Sequence, residues 1–396
     1  MPLKGIKKIV DLTRLLPGPY CTRLLADMGA SVIKVEDKGE GDYMRSFPPQ
    51  VDGKNIFFET LNRNKKGITI NLEKEKGREI FLELVKGADI LVEGFRPGVM
   101  DQLGLGYTVL KERNPRLIYC AMTGYGQHGF YRNKAGHDIN YLALAGFLGL
   151  NTTPQGEPIV PGVQMADVAG GGLMATIGIL AALYHRDKSG EGQFLDSAMF
   201  DGAMSLIPLQ VSQALALGIE QKPYQDMLTG GLSCYNVYQT AEGRYMSLGA
   251  LEAKFWKNFC TAVGRKDLIN EHNSMGERGQ RVKQEVSGIF KSKTQEEWIA
   301  FFKDKDCCCE PVLTVDEALS QPLARARDMC VDSKPSSGFP YAQIVFPIKF
   351  SKTPSFLRSP APAKGKHNEE ILKEIGYSAH EIDNLKKQNI IGSLKF

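Results

Sequence analysis

The 396-residue sequence has no strong excess of either charge, no paired cysteine motif, no long apolar run and no dinucleotide fingerprint. Its formal charge of +4 gives no case for nucleic acid as the main partner. A local basic patch for a phosphorylated small molecule stays open. No apolar run approaches the roughly 18 residues of a membrane span, so no membrane partner is expected. The opening residues, Met1 to Lys8, carry no apolar stretch after their charges, and a signal peptide is not expected. The closing Ser393-Leu394-Lys395-Phe396 does not match a peroxisomal tripeptide, which leaves a cytoplasmic location as the expectation. The eight cysteines are scattered apart from Cys307-Cys308-Cys309. Adjacent cysteines cannot readily share a tetrahedral metal, and no CxxC exists, so reduced, mostly buried thiols and no metal site are expected.

The missing fingerprint excludes more than it first suggests. After the first predicted strand comes Leu16-Pro17-Gly18-Pro19-Tyr20, with one glycine between two prolines. Without the second and third glycines, no backbone is shaped for a pyrophosphate, and NAD is not expected. What is present is alternation. Strands are predicted at 6–12, 31–36, 67–72, 89–93 and 117–122, with helices between them, which points to an open parallel α/β sheet. Helices are predicted at 138–150, 168–186 and 196–217. Glycine, lysine and proline accumulate at 218–232, before two short strands and three helices of a smaller α+β unit. The expected division is a large domain over 1–217, a linker and small domain over 218–330, and a C-terminal segment 331–396. Within the last, 331–365 reads as extended and 368–375 as a docking helix.

Two segments carry the chemistry. Gly136-His137-Asp138-Ile139-Asn140-Tyr141 and Ala166-Asp167-Val168-Ala169-Gly170-Gly171-Gly172 each place an ionisable side chain at the mouth of a glycine-rich, predicted helix. An imidazole opposite a carboxylate suits a reaction in which one group removes a carbon-bound proton and the other returns it. The same positions also suit a core histidine, and Asp138 or Asp167 as an N-cap. Glycines in a first helical turn cost stability and need a reason, such as close approach of a ligand or another backbone. Glu252 opens a helix after a strand; it suits orienting an imidazole and equally suits a first-turn acid. Arg96 lies just past a strand's carboxyl end, where open α/β sheets bind ligands. Arg63, Lys65 and Lys66 form a basic run usable for phosphates, or simply solvated.

These segments, together with Leu248-Gly249-Ala250-Leu251-Glu252-Ala253-Lys254-Phe255, resemble the α-methylacyl-CoA racemases, a branch of the class III (CaiB/BaiF-type) CoA-transferases. Glu93-Gly94-Phe95-Arg96-Pro97-Gly98-Val99-Met100 is similar across that family, and the likeness runs end to end. The resemblance implies an acyl-CoA substrate, no further cofactor, and two interlocked chains, each with a Rossmann-like large domain and a small α+β domain. It implies His137 and Asp167 as the acid–base pair of an epimerase, with Glu252 and Asp138 beside them. In the transferase branch the residue at 167 is instead a nucleophile, and many transferases carry Phe or Tyr at 137. Gly136, Asn140, Tyr141, Arg96, Ile70, Leu72, Lys65 and Lys38 are the implied CoA or substrate contacts. The sequence departs from the family at Asp37-Lys38-Gly39 and Asn71-Leu72-Glu73, so Lys38, Lys65 or Lys74 is expected to replace the usual contacts there.

Overall fold

A computed structural model describes residues 1–218, 224–333 and 341–392. Six strands form one parallel sheet: β1 (Ile9–Leu12), β2 (Val32–Glu36), β3 (Lys65–Thr69), β4 (Ile90–Glu93), β5 (Ile118–Thr123) and β6 (Phe194–Ala198). Their spatial order is β3-β2-β1-β4-β5-β6, all neighbours parallel. This is the doubly wound order of a Rossmann-like sheet.

Period-two alternation sends successive strand residues to opposite faces. Val10, Ile33, Leu91 and Tyr119 join one core with the helix Glu75–Lys86. Ile9, Val32, Ile90 and Ile118 join another with α1 (Pro17–Asp27). The C-terminal helices Asn368–Glu374 and Ala379–Lys387 close the first face through Ile371, Leu372, Ile382 and Leu385. Contacts group Met1–Phe147, Pro161–Ile207 and Leu323–Phe396 as one unit, and Leu148–Val160 with Pro208–Pro322 as a second. The second unit has a three-stranded antiparallel sheet and an aromatic core in which Trp256, Phe259, Phe290, Trp298 and Phe302 are buried.

Several expectations change. Residues 194–198 are an edge strand, not the start of a helix, with Tyr119 paired to Phe194. The expected helix 138–150 is two short ones, Asp138–Leu144 and Phe147–Leu150, because Gly146 takes a φ of +82° between them. The helix Ala379–Lys387 was missed, although Ser378 and Glu381 form a capping box there. Of the stretch 331–365, residues 334–340 lie outside the described residues. The continuous helical segment Ala166–Ser189 is 24 residues long and contains an 18-residue window of mean hydropathy 1.6, so one segment does have the length and composition of a span. It runs against the sheet, with Ala175, Ile179 and Ala182 in the core. All eight cysteines are free, and six are buried.

Candidate active site

The connection after β1 turns into α1 on one face of the sheet, while the connection after β4 leads to helices on the other. Adjacent strands whose connections part in this way leave a crevice at their carboxyl ends. A cavity of about 460 Å³ opens there. Its walls are the loop Thr13–Gly18 after β1, Gly94–Pro97 after β4, and Gly124–His137 after β5. Tyr43, Tyr141, Asp167 and Met199 also line it.

His137 and Asp167 face this one cavity. His137 is itself the N-cap of α2 (Asp138–Leu144), so Asp138 is the first helical residue and not the cap. The His137 backbone N–H donates to Asn140 Oδ1 at 3.0 Å, which fixes the chain at the helix mouth. Tyr141, one turn on, donates its hydroxyl to Gly136 O at 2.6 Å and stacks edge-on against Tyr125. A Cβ at Gly136 would lie 2.7 Å from the Tyr125 hydroxyl, so glycine is needed for that fit.

Asp167 stands in the first turn of a π-helix, Ala166–Leu173, that continues into α3 (Met174–Ser189). Widened turns of this kind gather at functional sites. The glycines that follow allow close approach: a Cβ at Gly170 would lie 2.8 Å from Ala203 N, and one at Gly172 would lie 2.7 Å from the Tyr20 ring and 3.1 Å from Pro17 O. Asp167 N–H donates to Asp138 Oδ1 at 3.0 Å, which ties the two segments together. Burial, with Asp138 beside it, pushes the Asp167 carboxyl up to about 7. Burial also raises Asp138. Neither carboxyl has a salt bridge among the described residues. A carboxyl in this condition can hold or release a proton near neutrality.

Four cations line the same cavity: Arg14, Arg96, Arg132 and Lys134. Arg14 lies 5.8 Å from the ring centres of both Tyr43 and Phe95 and pairs with Asp37 at 3.3 Å. Glu93, buried at the end of β4, accepts the Phe95 N–H at 2.7 Å and so holds the turn that presents Arg96. Burial raises the Glu93 carboxyl to about 7. Arg14, Arg132 and Lys134 were not singled out from sequence. The first follows β1 as Arg96 follows β4, and that parallel was the available signal.

The basic run is different from its expected form. Arg63 makes two bonds to Asp27 in the core, Lys65 is buried against Asp11 at 3.0 Å, and Lys66 pairs with Glu370 and Glu374. These cations are neutralised by the fold itself, and none lines the cavity. Ile70 is buried in the sheet's core and Leu72 packs at its margin. Lys38 donates to Asn389 Oδ1 and Lys74 to Gln388 O, both on the C-terminal segment. Glu252 belongs to the smaller unit, where it is the N-cap of Ala253–Ala262 without a side-chain capping bond. Among the described residues no group of three His, Cys, Asp or Glu side chains is placed to hold a metal ion.

A doubly wound sheet whose switch-point cavity gathers four cations, an imidazole and a near-neutral carboxyl has the parts of an enzyme for a polyanionic substrate. Residues 3–368 match CoA-transferase family III, and the chain belongs to that family. It is 37% identical over 398 residues to alpha-methylacyl-CoA racemase from Homo sapiens, covering 100% of this chain and 99% of that one. It is 31% identical over 385 residues to succinyl-CoA:glutarate CoA-transferase from Mus musculus, covering 94% and 86%. The crystal structure of a CAIB/BAIF family protein from Brucella suis matches with a TM-score of 0.81 at 31% identity, covering 95% of this chain and 99% of that one.

Proposed function

We propose that this chain epimerises 2-methyl-branched acyl-CoA thioesters by a 1,1-proton transfer between two bases. The observation that carries this reading is the shared cavity: His137 and Asp167 face it together, and burial raises the Asp167 carboxyl to about 7, with no ion pair among the described residues to hold it ionised. The thioester carbonyl acidifies the α-carbon by taking charge onto its oxygen. His137 removes the α-proton, leaving an enolate, and the protonated Asp167 returns a proton to the opposite face of the same carbon. For the other epimer the roles exchange. The Asp138 backbone N–H at the start of α2 is the proposed donor to the enolate oxygen. Arg14, Arg96, Arg132 and Lys134 supply charge for the phosphates of CoA. The step needs no cofactor beyond the CoA that the substrate carries.

The proposed assembly is a homodimer. Ile177 and Tyr184 on α3 are 59% and 71% exposed, and a second copy is the cover proposed for this apolar face. The cytoplasm is the proposed compartment.

Kinship with a CoA-transferase gives the second reading, in which the Asp167 carboxylate attacks the thioester carbonyl and expels CoA as an acyl anhydride forms. One incubation in deuterium oxide, with a 2-methylacyl-CoA and no acceptor acid, separates the two. Deuterium at the α-carbon is the expected result. Loss of activity to hydroxylamine in the presence of acyl-CoA, without exchange, would establish the transferase instead.

A further inference from the structure

The loop after β1 contains a residue held in an unfavourable backbone conformation. Leu15 has a φ of +62°, in the left-handed region that side chains other than glycine rarely occupy. Leu15 lines the cavity that holds His137 and Asp167, and it also packs beside the buried Met44, Phe58 and Leu61. Strain of this kind persists only where the surroundings enforce it, and it gathers at functional sites.

The enforcement is visible. Leu15 N–H donates to Asp42 Oδ1 at 3.2 Å. Asp42 Oδ2 lies 2.8 Å from Lys34 Nζ, and both side chains are 0% exposed. Lys34 Nζ also donates to Thr13 O at 2.9 Å, while Thr13 N–H and hydroxyl donate to Asp11 Oδ1. A buried ion pair therefore holds both ends of the turn from Thr13 to Leu15. The turn is closed so tightly that a Cβ at Gly18 would fall 2.2 Å from Thr13 Cβ.

Glycine would relax the backbone here, but it would take the leucine away from both the cavity wall and the cluster of Met44, Phe58 and Leu61. We propose that Leu15 is a specificity-determining residue: the buried Asp42–Lys34 pair holds its side chain as a fixed wall that orients the acyl group against the acid–base pair. This rests on the acyl-thioester reading above. A fixed wall at the α-carbon limits how the substituents can rotate, and orientation of this kind acts on the rate of the chemical step.

The test compares the parent with Leu15→Gly, which tolerates the positive φ, and Leu15→Ala, which keeps the strain and loses the wall. Thermal unfolding is expected to show Leu15→Gly folded and less destabilised than Leu15→Ala, because both lose the packing on Met44, Phe58 and Leu61 but only glycine relieves the positive φ. Its kcat for α-proton exchange is expected to fall on the order of tenfold or more, with a smaller change in KM. Affinity for free CoA should stay within about twofold, while the added affinity from the 2-methylacyl group drops about tenfold with loss of one leucine contact. Leu15→Ala should show the same kinetic loss together with lower stability. A folded Leu15→Gly with parental kcat and parental preference for acyl-CoA over CoA would overturn the proposal. A parent that exchanges no α-proton would overturn the proposed function alone, because the comparison of acyl-CoA with CoA binding still decides the role of Leu15.

Discussion

Two groups of carboxylates in the larger unit, one buried and one half-buried, differ in how they are balanced. In one, Asp11 and Asp42 meet Lys65 and Lys34, and all four side chains are 0% exposed. Burial alone would raise the Asp11 carboxyl, but Lys65 and Lys34 hold it well below the usual carboxylate range. In the other, Asp138 and Asp167 meet each other without a cation, and Asp167 rises to about 7. Matched charges fix a carboxylate in one protonation state and serve the fold. Unmatched ones leave the proton free to move, which destabilises the site and suits acid–base chemistry.

The largest expected effect comes from removing the unmatched carboxyl. Asp167→Asn is expected to lower α-proton exchange by about 10²–10⁴-fold, measured by deuterium incorporation. Stability should move the other way. The folded parent holds this proton up to about pH 7, while the unfolded chain releases it near 3.8. Parental stability from this group is thus full below the lower value and is lost as pH rises through the upper one. The Asn variant lacks that slope, so urea unfolding at pH 8 should find it no less stable than the parent.

Breaking the matched group should do the reverse. Lys65→Met leaves Asp11 buried with one of its cations gone, an error that costs about 3–5 kcal/mol when a buried pair is broken. Urea unfolding at pH 7 checks it. The depressed Asp11 contributes stability above its unfolded value of 3.8 and loses it as pH falls below that. Lys65→Met should therefore narrow its gap to the parent in acid. Equal destabilisation by Asp167→Asn and Lys65→Met at neutral pH would erase the distinction between the two groups.

This distinction was only half legible in the sequence. The alternation of strands and helices follows from apolar runs that end at glycine and proline, and it located β1 to β5 to within a few residues. β6 was missed because an edge strand with Asp196 and Ser197 lacks a continuous apolar run. His137, Asp167, Arg96 and Gly136 stood out by local pattern, Tyr141 only through the resemblance, and all five line one cavity. Lys65 and Arg63 looked available for phosphate because their partners are remote: Asp11 is 54 residues from Lys65, and Asp27 is 36 from Arg63. A neighbour list cannot show which carboxylate the fold will bring to a lysine. Nor did anything local mark Leu15, whose strain comes from Asp42 and Lys34, positions that only the tertiary fold brings to it.

The smallest effect is the most informative about how the unmatched pair works. Asp138→Asn keeps an oxygen to accept the Asp167 N–H but removes the charge that helps raise Asp167. The Asp167 carboxyl should then give up its proton at lower pH. An epimerase uses the state in which His137 and Asp167 together carry one proton, whichever of the two holds it. Both reaction directions must then share one bell-shaped profile of kcat/KM, since they start from states of equal total protonation. In Asp138→Asn the acid limb of that bell should move to lower pH in both directions alike. Exchange near neutrality should fall, up to about tenfold, because the pair gives up its shared proton at lower pH and the one-proton state becomes rarer. An acid limb unmoved by the substitution would mean that Asp138 does not set the proton affinity of Asp167.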